Sequence, residues 1–176
     1  MDKTTDFLPG SHLMIKQRKD MFRINTDTYA LASFMNVKKG ETILDIGTNN
    51  GVLLIEASRF HPKKLIGIDI FAEAIEIATE NVNYHKIENV VFFTCRIQDL
   101  IIEPVDVIVC NPPYFNQLVK ENRNPNPFLD AARHEVYLPL NELLDCVKRD
   151  LKDHGRFYLI HCSNRLAEII IEAHKR

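Results

Sequence analysis

The chain has 176 residues, of which 45% are hydrophobic and 26% charged, and this composition is typical of one globular domain. No apolar run approaches the ~20 residues that a bilayer-spanning helix needs, and Met1–Asp6 lacks the apolar stretch of a signal peptide. These features argue against a membrane protein and predict a cytoplasmic location.

The net charge of −2 gives no indication of nucleic-acid binding, but the basic residues are unevenly distributed. One basic group lies near the N-terminus and another in a long polar loop. Their members are Lys16, Arg18, Lys19 and Arg23 in the first group, and Lys120 and Arg123 in the second. An ordinary solvated surface is an equally good interpretation of either group.

The four cysteines, Cys95, Cys110, Cys146 and Cys162, form no CxxC pair, so a zinc site is not expected. In a reducing compartment they are expected to be buried free thiols rather than disulfides.

The N-terminal part of the chain is expected to form a hairpin followed by a helix. Apolar alternation over residues 13–24, with a turn at residues 18–20, predicts a β-hairpin. Thr26 or Asp27 is the expected N-cap of a helix that ends before Gly40.

Strands and helices alternate from residue 42 onward. Strands are predicted over 42–46, 64–69, 90–95, 105–110 and 156–162, and helices over 52–60, 71–84, 140–151 and 165–174. Because the strands are nearly continuous runs of Val, Ile and Leu, they indicate a mostly parallel, doubly wound α/β sheet of the Rossmann-like class. The expected domain therefore comprises a hairpin and helix over 1–40 and a Rossmann-like core over 41–176.

Residues 114–139 form a polar loop that is long for a compact domain, and loops of this length are usually functional or disordered.

The first core strand leads into the turn Gly47-Thr48-Asn49-Asn50-Gly51, and the pattern DxGxNxG differs from the GxGxxG of dinucleotide enzymes. Gly47 would permit close approach of a ligand, and Gly51 would let the next helix start tight against the sheet. Asn49 tolerates a left-handed conformation, so the turn can form without a middle glycine. A simple strand-to-helix turn is the alternative interpretation.

The second core strand ends at Asp69, which can hydrogen-bond both hydroxyls of a ribose or cap the following helix. Asp45, Gly47, Gly51 and Asp69, in this order, resemble the signature of class I methyltransferases. The resemblance implies S-adenosyl-L-methionine as cofactor and S-adenosyl-L-homocysteine as its product. The cofactor-binding residues expected from this part of the sequence are Asp45, Gly47, Thr48, Asn49, Gly51, Asp69, Ile70, Ile97 and Asn111.

The third core strand departs from that family pattern. An acid often follows this strand and binds the adenine amine of the cofactor, whereas Arg96 occupies the corresponding position here. Asp99 is either a second candidate for this contact or simply a turn residue. We therefore expect Ile97 to make the contact with the adenine ring.

The fourth core strand delivers Asn111-Pro112-Pro113-Tyr114, the most specific motif in the chain. Two prolines end the strand and fix the local backbone. The Asn111 side-chain oxygen and the Pro112 carbonyl can accept the hydrogens of an exocyclic amine, and Tyr114 can stack on a base. The four motif residues are therefore the predicted catalytic group, and the alternative is a rigid turn with Tyr114 in the core.

An NPPY motif after the fourth strand resembles several amine methyltransferases: adenine-N6 enzymes on DNA or RNA, guanine-N2 enzymes on rRNA, and glutamine methyltransferases of release factors. Phe22–Phe34 resembles the N-terminal segment of the bacterial adenine-N6 methyltransferases that act on position 37 of valine tRNA. Ala132–Glu135 and Ser163–Leu166 are also similar to that family. The resemblance implies that Asp27 lies over the cofactor.

The same resemblance implies an enzyme that methylates adenine N6 at position 37 of a valine tRNA. No metal cluster is apparent in the sequence, a monomer is expected, and the two basic groups are expected to contact RNA. Guanine-N2 methylation of rRNA, glutamine methylation of a release factor and a non-enzymatic RNA-binding scaffold are the alternatives. The scaffold is disfavoured by the intact motif. The family continues past the last helix into a closing strand pair, which a sequence ending at Arg176 would lack.

Overall fold

A computed structural model describes residues 2–8, 11–112, 126, 128 and 138–176. Its strands are, in chain order, β1 (Lys3–Phe7), β2 (Met14–Arg18), β3 (Thr42–Ile46), β4 (Lys64–Asp69), β5 (Val90–Thr94), β6 (Val105–Cys110) and β7 (Leu151–Leu159). Its helices are α1 (Thr26–Phe34), α2 (Val52–Ser58), α3 (Ala72–Tyr84), α4 (Leu140–Asp150) and α5 (Leu166–His174). Short 3-10 turns occupy Ile97–Asp99 and Ser163–Arg165. The predicted bounds of β3, β4 and β6 are confirmed.

Five of these strands form one parallel sheet in the order β5-β4-β3-β6-β7, which confirms the Rossmann-like fold. Ile46 pairs with Cys110, so β3 and β6 end side by side. The chain proceeds from β3 to β4 on one side and later returns to β6 on the other. Ligands of open α/β sheets bind at such a reversal, beyond the carboxyl ends of the strands.

Helices cover both faces of the sheet because each central strand is apolar on both sides. Ile43 packs in a cluster with Leu54 of α2, whereas the next residue, Leu44, packs in another with Leu143 of α4. Successive side chains of a strand point to opposite faces. The two clusters hold the sheet edge that carries the site in a fixed place.

The N-terminal hairpin differs from the prediction. β2 pairs with β1, upstream of it, in the register Lys3–Arg18 to Phe7–Met14. The prediction of a hairpin over residues 13–24 was therefore wrong, because residues 22–24 form no strand. The backbone N–H of Ile24 donates instead to the side chain of Gln17.

The N-cap prediction was also wrong. α1 is capped by Asn25, whose Oδ1 accepts the backbone N–H of Thr28 at 3.0 Å. Asp27 therefore lies in the first helical turn, where a carboxylate is favourable to the helix dipole.

The last strand starts earlier than predicted. α4 ends at Asp150 and β7 begins at the next residue, not at Arg156. The register of β7 against β6 jumps from Val105–Leu151 to Val107–Arg156, so the intervening residues bulge. His154 has φ 61° within this bulge, and a bulge hides the start of a strand from any test of strict alternation.

The four cysteines are free, as expected, but only Cys110 and Cys146 are buried, whereas Cys95 and Cys162 are partly exposed. Among the described residues, no helix combines the length and the apolar character that crossing a membrane requires.

Candidate functional site

An open cleft lies at the carboxyl edge of the sheet, and its empty space is about 370 Å³ when the adjoining open solvent is included. Three parts of the chain supply most of its lining, to which Thr28 of α1 and the first two residues of α2 also contribute. We call residues 22–24 the roof and residues 47–51 the floor turn; the third part is Asn111, directly after β6. The described lining residues are Phe22, Arg23, Ile24, Thr28, Gly47, Thr48, Asn49, Asn50, Val52, Leu53 and Asn111.

The floor turn has a left-handed backbone at three positions, with φ 73° at Gly47, 49° at Asn49 and 78° at Gly51. The prediction that Asn49 would accept this conformation is confirmed. The backbone N–H groups of Gly47 and Thr48 both donate to the carbonyl of Ile68 at 2.9 Å, which fastens the turn to β4.

The two glycines of the floor turn have different surroundings. A Cβ added to Gly51 would lie 3.2 Å from the Cβ of Ala78, so this glycine lets α2 begin tight against α3. A Cβ on Gly47 would meet no atom within 4 Å, and Gly47 is exposed to the cleft. Open space over bare backbone is what close approach of a ligand requires.

Asp45 lies beneath the floor turn and is 1% exposed. Its Oδ2 accepts the hydroxyl of Thr48 at 2.7 Å, and its Oδ1 has no partner among the described residues. Burial raises the pKa of Asp45 to about 7, with a smaller contribution from the charge of Asp69, while the Thr48 hydrogen bond acts in the opposite direction. Asp45 therefore supports the floor turn from beneath through Thr48, and its burial does not favour direct contact with a cofactor.

Asp69 connects the end of β4 to its neighbours on both sides. Its Oδ2 accepts the backbone N–H of Asn49 at 3.0 Å, and its Oδ1 accepts that of Phe71 at 3.1 Å. Burial raises its pKa, and backbone hydrogen bonds from Phe71, Asn49 and Ile70 oppose the shift. Each carboxylate oxygen keeps a further lone pair, so Asp69 can accept two hydroxyls in addition to these bonds.

Asn111 is partly buried and faces the cleft from the β6 side, and Pro112 behind it is buried. The sheet thus brings Asn111 and the floor turn together, as the motif order predicted. Pro113, Tyr114, Lys120 and Arg123 lie outside the described residues, so the roles predicted for them remain predictions.

Hydrogen bonds tie the roof to the floor turn. The side-chain Nδ2 of Asn49 donates to the carbonyl of Phe22 at 2.6 Å. The Oε1 of Gln17 accepts from the backbone N–H of Ile24 at 2.7 Å and from Nδ2 of Asn50 at 3.3 Å. Thr28 of α1 lines the cleft, whereas Asp27, the residue before it in the first helical turn, is not among the described lining residues.

Sequence reasoning missed Gln17, Asn50 and Asn81, all at most 3% exposed. A signal was present in two cases. Gln17 shares a strand face with Ile15, and Asn81 lies seven residues after Ala74 on the apolar side of α3. A polar residue in a buried position must find a hydrogen-bond partner, and here the partners belong to the cleft walls.

The expected adenine contact of Ile97 is not supported. Ile97 is 3% exposed and packs in the cluster that contains Leu143 of α4. Its carbonyl accepts from the guanidinium of Arg149 at 2.9 Å. Ile70, partly exposed next to Asp69, remains a candidate for contact with a ligand ring, whereas Arg96 is exposed and lies 3.8 Å from Glu142.

The N-terminal basic group is largely neutralised by ion pairs. Arg18 has only 5% of its side chain exposed and makes two hydrogen bonds to Asp20, at 3.0 and 2.7 Å. These bonds raise the pKa of Arg18. Burial has the next largest effect and acts in the opposite direction. The prediction that Arg18 contacts RNA is therefore not favoured.

The other members of this group reach solvent to different degrees. Lys16 pairs with Glu80 at 2.7 Å and is 31% exposed. Lys19 pairs with Asp2 at 3.1 Å and Arg23 with Asp6 at 3.0 Å, with 56% and 51% of their side chains exposed. Exposed pairs of this kind are weak, about 0–1 kcal/mol, so both cations can exchange partners.

Within the described residues, no group of three or more His, Cys, Asp or Glu side chains could hold a metal ion.

Comparison with known proteins connects this geometry to a family. Residues 37–175 match a family model described as “Methyltransferase domain”. A Cytophaga hutchinsonii protein named tRNA1(Val) (adenine(37)-N6)-methyltransferase is 31% identical over 151 residues, which are 83% of this chain and 62% of that protein. A Pedobacter heparinus protein of the same name is 33% identical over 149 residues, with coverage of 83% and 62%. The chain thus spans about three-fifths of the length of these curated relatives.

Among solved structures, the ribosomal protein L11 methylase of Lactobacillus delbrueckii subsp. bulgaricus is similar, with a TM-score of 0.66 and 19% identity. The match covers 90% of this chain and 72% of that protein, and it supports the fold alone.

Proposed function

The chain belongs to the methyltransferase-domain family, and from that premise we propose that it methylates the N6 amine of adenine 37 in a valine tRNA, with S-adenosylmethionine as the donor. The observation that carries the proposal is the position of Asn111, which lines the same cleft as Gly47–Asn50. The relatives of about 30% identity whose names specify this reaction support the choice of substrate.

The floor of the cleft suits the nucleoside part of the cofactor. Asp69 has spare acceptor capacity for two ribose hydroxyls, and the exposed backbone at Gly47 permits close approach. Asn49 would be held in place under the ligand by its bond to Phe22 in the roof. S-adenosylmethionine, when bound, supplies a methyl group carried by a positively charged sulfur.

The β6 side of the cleft suits the amine that is methylated. An exocyclic amine is conjugated to its ring and is a poor nucleophile. The Asn111 oxygen and the Pro112 carbonyl can accept its two hydrogens, which turns the nitrogen lone pair away from them and toward the floor turn. The same two acceptors stabilise the positive charge that develops on nitrogen as the new bond forms.

The acceptors must be rigid for this orientation to be effective. Pro112 is buried and its ring fixes φ, while the proline that follows it in the sequence restricts its ψ, so the direction of the Pro112 carbonyl is confined. A stacked base cannot enter such a site, so the target must be flipped out or already unpaired, as in an anticodon loop. Tyr114 remains the predicted stacking partner, a contact worth ~1–3 kcal/mol.

Guanine-N2 and glutamine-N5 methylation need similar acceptors, so the choice between amines depends on a product analysis. Incubating the protein with methyl-labelled cofactor and unmodified total tRNA, followed by mass spectrometry of nucleosides, should give N6-methyladenosine in the valine tRNA fraction. A valine tRNA transcript with guanosine at position 37 is the matched control and should stay unmethylated. Methylated guanosine, or no methylated nucleoside from protein that binds the cofactor, would contradict the proposal.

A further inference from the structure

The carboxamide of Gln17 in β2 joins three parts of the molecule. Its Oε1 accepts from Ile24 in the roof at 2.7 Å and from Asn50 in the floor turn at 3.3 Å. Its Nε2 donates to the carboxylate of Asp6 in β1. Gln17 is 3% exposed, so water cannot easily replace these partners.

The strand that carries Gln17 is itself fixed to the floor turn from below. Asn81 of α3 accepts the backbone N–H of Lys16 and donates to its carbonyl, both at 2.9 Å. The same Nδ2 of Asn81 also donates to the carbonyl of Asn50 at 2.9 Å. Asn81 is 1% exposed, so β2 and the floor turn share one buried anchor.

We propose that Gln17 is a positioning residue of the cofactor site, which fixes the height of the roof above the floor turn. The N-terminal hairpin is then part of the site, although none of its strand residues lines the cleft among those described. The proposal rests on the proposed function, because it takes the cleft to be the place where S-adenosylmethionine binds.

A physical consequence follows from the burial of these groups. Without the carboxamide, the N–H of Ile24 and the Nδ2 of Asn50 lose their acceptor. Unpaired buried polar groups seek water or new partners, so the roof segment would move away from the floor turn. The cofactor would then meet a wider cleft and lose contacts on one side.

The first measurement is the affinity for S-adenosylhomocysteine by calorimetry. Gln17→Met preserves the length of the side chain and removes all of its hydrogen bonds, and we expect at least a tenfold weaker affinity, the effect of about one lost hydrogen bond. Thr5→Met, at an exposed position of β1 in the same hairpin, is the matched control and should stay within twofold of wild type. Faster amide exchange at Ile24 in ligand-free Gln17→Met would report the loosened roof directly.

The second measurement separates positioning from simple stability. Gln17→Glu keeps the acceptor oxygens for Ile24 and Asn50 but places a second carboxylate against Asp6, which also pairs with Arg23 at 3.0 Å. Two carboxyls in contact share a proton at low pH, and protonated Glu donates to Asp6 as Gln does. The affinity of Gln17→Glu relative to wild type should therefore fall as pH rises from about 5 to 8, whereas that of Gln17→Met should not change.

Asp45 and Asp69 are present in the wild type and in both variants. Dividing the affinity of each variant by that of wild type at the same pH therefore cancels the effect of their titration. Wild-type protein that does not bind S-adenosylhomocysteine would refute the proposed function, independently of Gln17. Wild-type protein that binds, together with Gln17→Met of equal affinity, would refute the role of Gln17. If Gln17→Met does not fold, a pH-independent affinity ratio for Gln17→Glu would refute it.

Discussion

Asp69 and Asn49, 20 residues apart in sequence, are joined by a 3.0 Å hydrogen bond from the Asn49 backbone N–H to the Asp69 carboxylate. The bond crosses from the end of β4 to the floor turn, so the expected ribose acceptor also sets the shape of the turn beneath the ligand. The two roles cannot be separated by removing the side chain alone, but they can be separated by comparing two substitutions.

Asp69→Ala should weaken binding of S-adenosylhomocysteine strongly, because two ribose hydroxyls lose charge-assisted partners worth ~1.5–3 kcal/mol each. Asp69→Asn keeps one oxygen as acceptor, so its affinity for S-adenosylhomocysteine should lie between those of Asp69→Ala and wild type. Calorimetry gives both affinities. Asp99→Ala, which removes an exposed carboxylate after β5, serves as control and should bind normally. Full affinity in Asp69→Ala would place the cofactor elsewhere.

Asn111→Ala should reduce methyl transfer by ~10²–10³-fold, by analogy with loss of one oriented group that stabilises transition-state charge. Cofactor affinity should stay nearly unchanged, because the side chain acts mainly on the target amine. Single-turnover rates and calorimetry on the same preparation test the two halves of this statement. Asn83→Ala, at an exposed position of α3, is the control. A wild-type rate in Asn111→Ala would make Asn111 a structural residue only.

Three glycines with positive φ permit a graded test of the floor turn. Alanine at Gly40 (φ 84°), Gly47 (φ 73°) or Gly51 (φ 78°) brings a similar left-handed strain of ~1–2 kcal/mol. Only Gly51→Ala adds a tight contact, at 3.2 Å from the Cβ of Ala78, so it should lower the free energy of unfolding most. Denaturant unfolding measures the three values.

Two further comparisons make the glycine test specific. Gly51→Ala combined with Ala78→Gly should recover the part of the loss that comes from the contact. Gly47→Ala should weaken S-adenosylhomocysteine binding more than it lowers stability, since its Cβ would enter the open cleft, whereas Gly40→Ala should leave binding intact. Equal losses of stability at all three positions would mean that the Ala78 contact relaxes without cost.

Asp45 should make stability depend on pH. Its pKa is raised from 3.8 to about 7 by burial, so the folded protein keeps the proton over a range in which the unfolded chain has lost it. The resulting stabilisation is complete below about pH 4 and is lost as pH rises to about 7, after which it is constant. At about 1.4 kcal/mol per pKa unit the effect is of order 4 kcal/mol.

Asp45→Asn has no proton to lose and supplies the comparison. The free energy of unfolding of this variant minus that of wild type should increase between pH 4 and 7 and then level off. Chemical denaturation at several pH values measures the difference, in which all unchanged groups cancel. A difference that stays constant with pH would mean that Asp45 is ionised throughout and that its carboxylate has found partners.

In the described part of the N-terminal basic group, Lys19 and Arg23 have the most exposed side chains, so they are the members tested for RNA binding. Changing both to Gln should weaken tRNA binding and flatten its salt dependence by about one log–log unit for each lost phosphate contact. Arg23 lines the cleft and Lys19 does not, so the cofactor affinity of Lys19→Gln should stay close to that of wild type. The two single variants are therefore measured before the double variant. Lys63→Gln with Lys64→Gln, exposed residues at the opposite edge of the sheet, is the matched control. An unaltered salt slope would reduce Lys19 and Arg23 to ordinary surface charges.

The core of the fold could be predicted because its determinants are local. β3, β4 and β6 are runs of Val, Ile and Leu bounded by glycine, proline or an acid, and their bounds match the structure. The sequence order of Asp45, Gly47, Asp69 and Asn111 also predicted that these residues lie near one another, since parallel strands bring their carboxyl ends to one edge of the sheet. The supporting role of Asp45, by contrast, follows from its depth of burial, which motif spacing does not encode.

The N-terminal elements could not be predicted in the same way because distant partners hold them. β1, Lys3–Phe7, has little apolar content and is held mainly by its pairing with β2. The ion pair of Lys3 with Glu80 is exposed and adds little. The charge of Arg18 is visible in sequence, but its burial against Asp20 and its place 5.5 Å from the ring of Phe128 are not. Ile97 illustrates the same limit, because helix α4 covers it.

The anchor made by Asn81 also sets an order of events during folding. It links residues that are 65 positions apart in one bond and 31 in another, so closing these loops costs chain entropy that local turns do not incur. The unit β3-α2-β4-α3 can assemble from neighbouring segments, whereas the hairpin has nothing to dock on until α3 has formed. The roof therefore cannot dock before α3 has formed, and during synthesis the first 24 residues have no docking surface until residue 81 has left the ribosome.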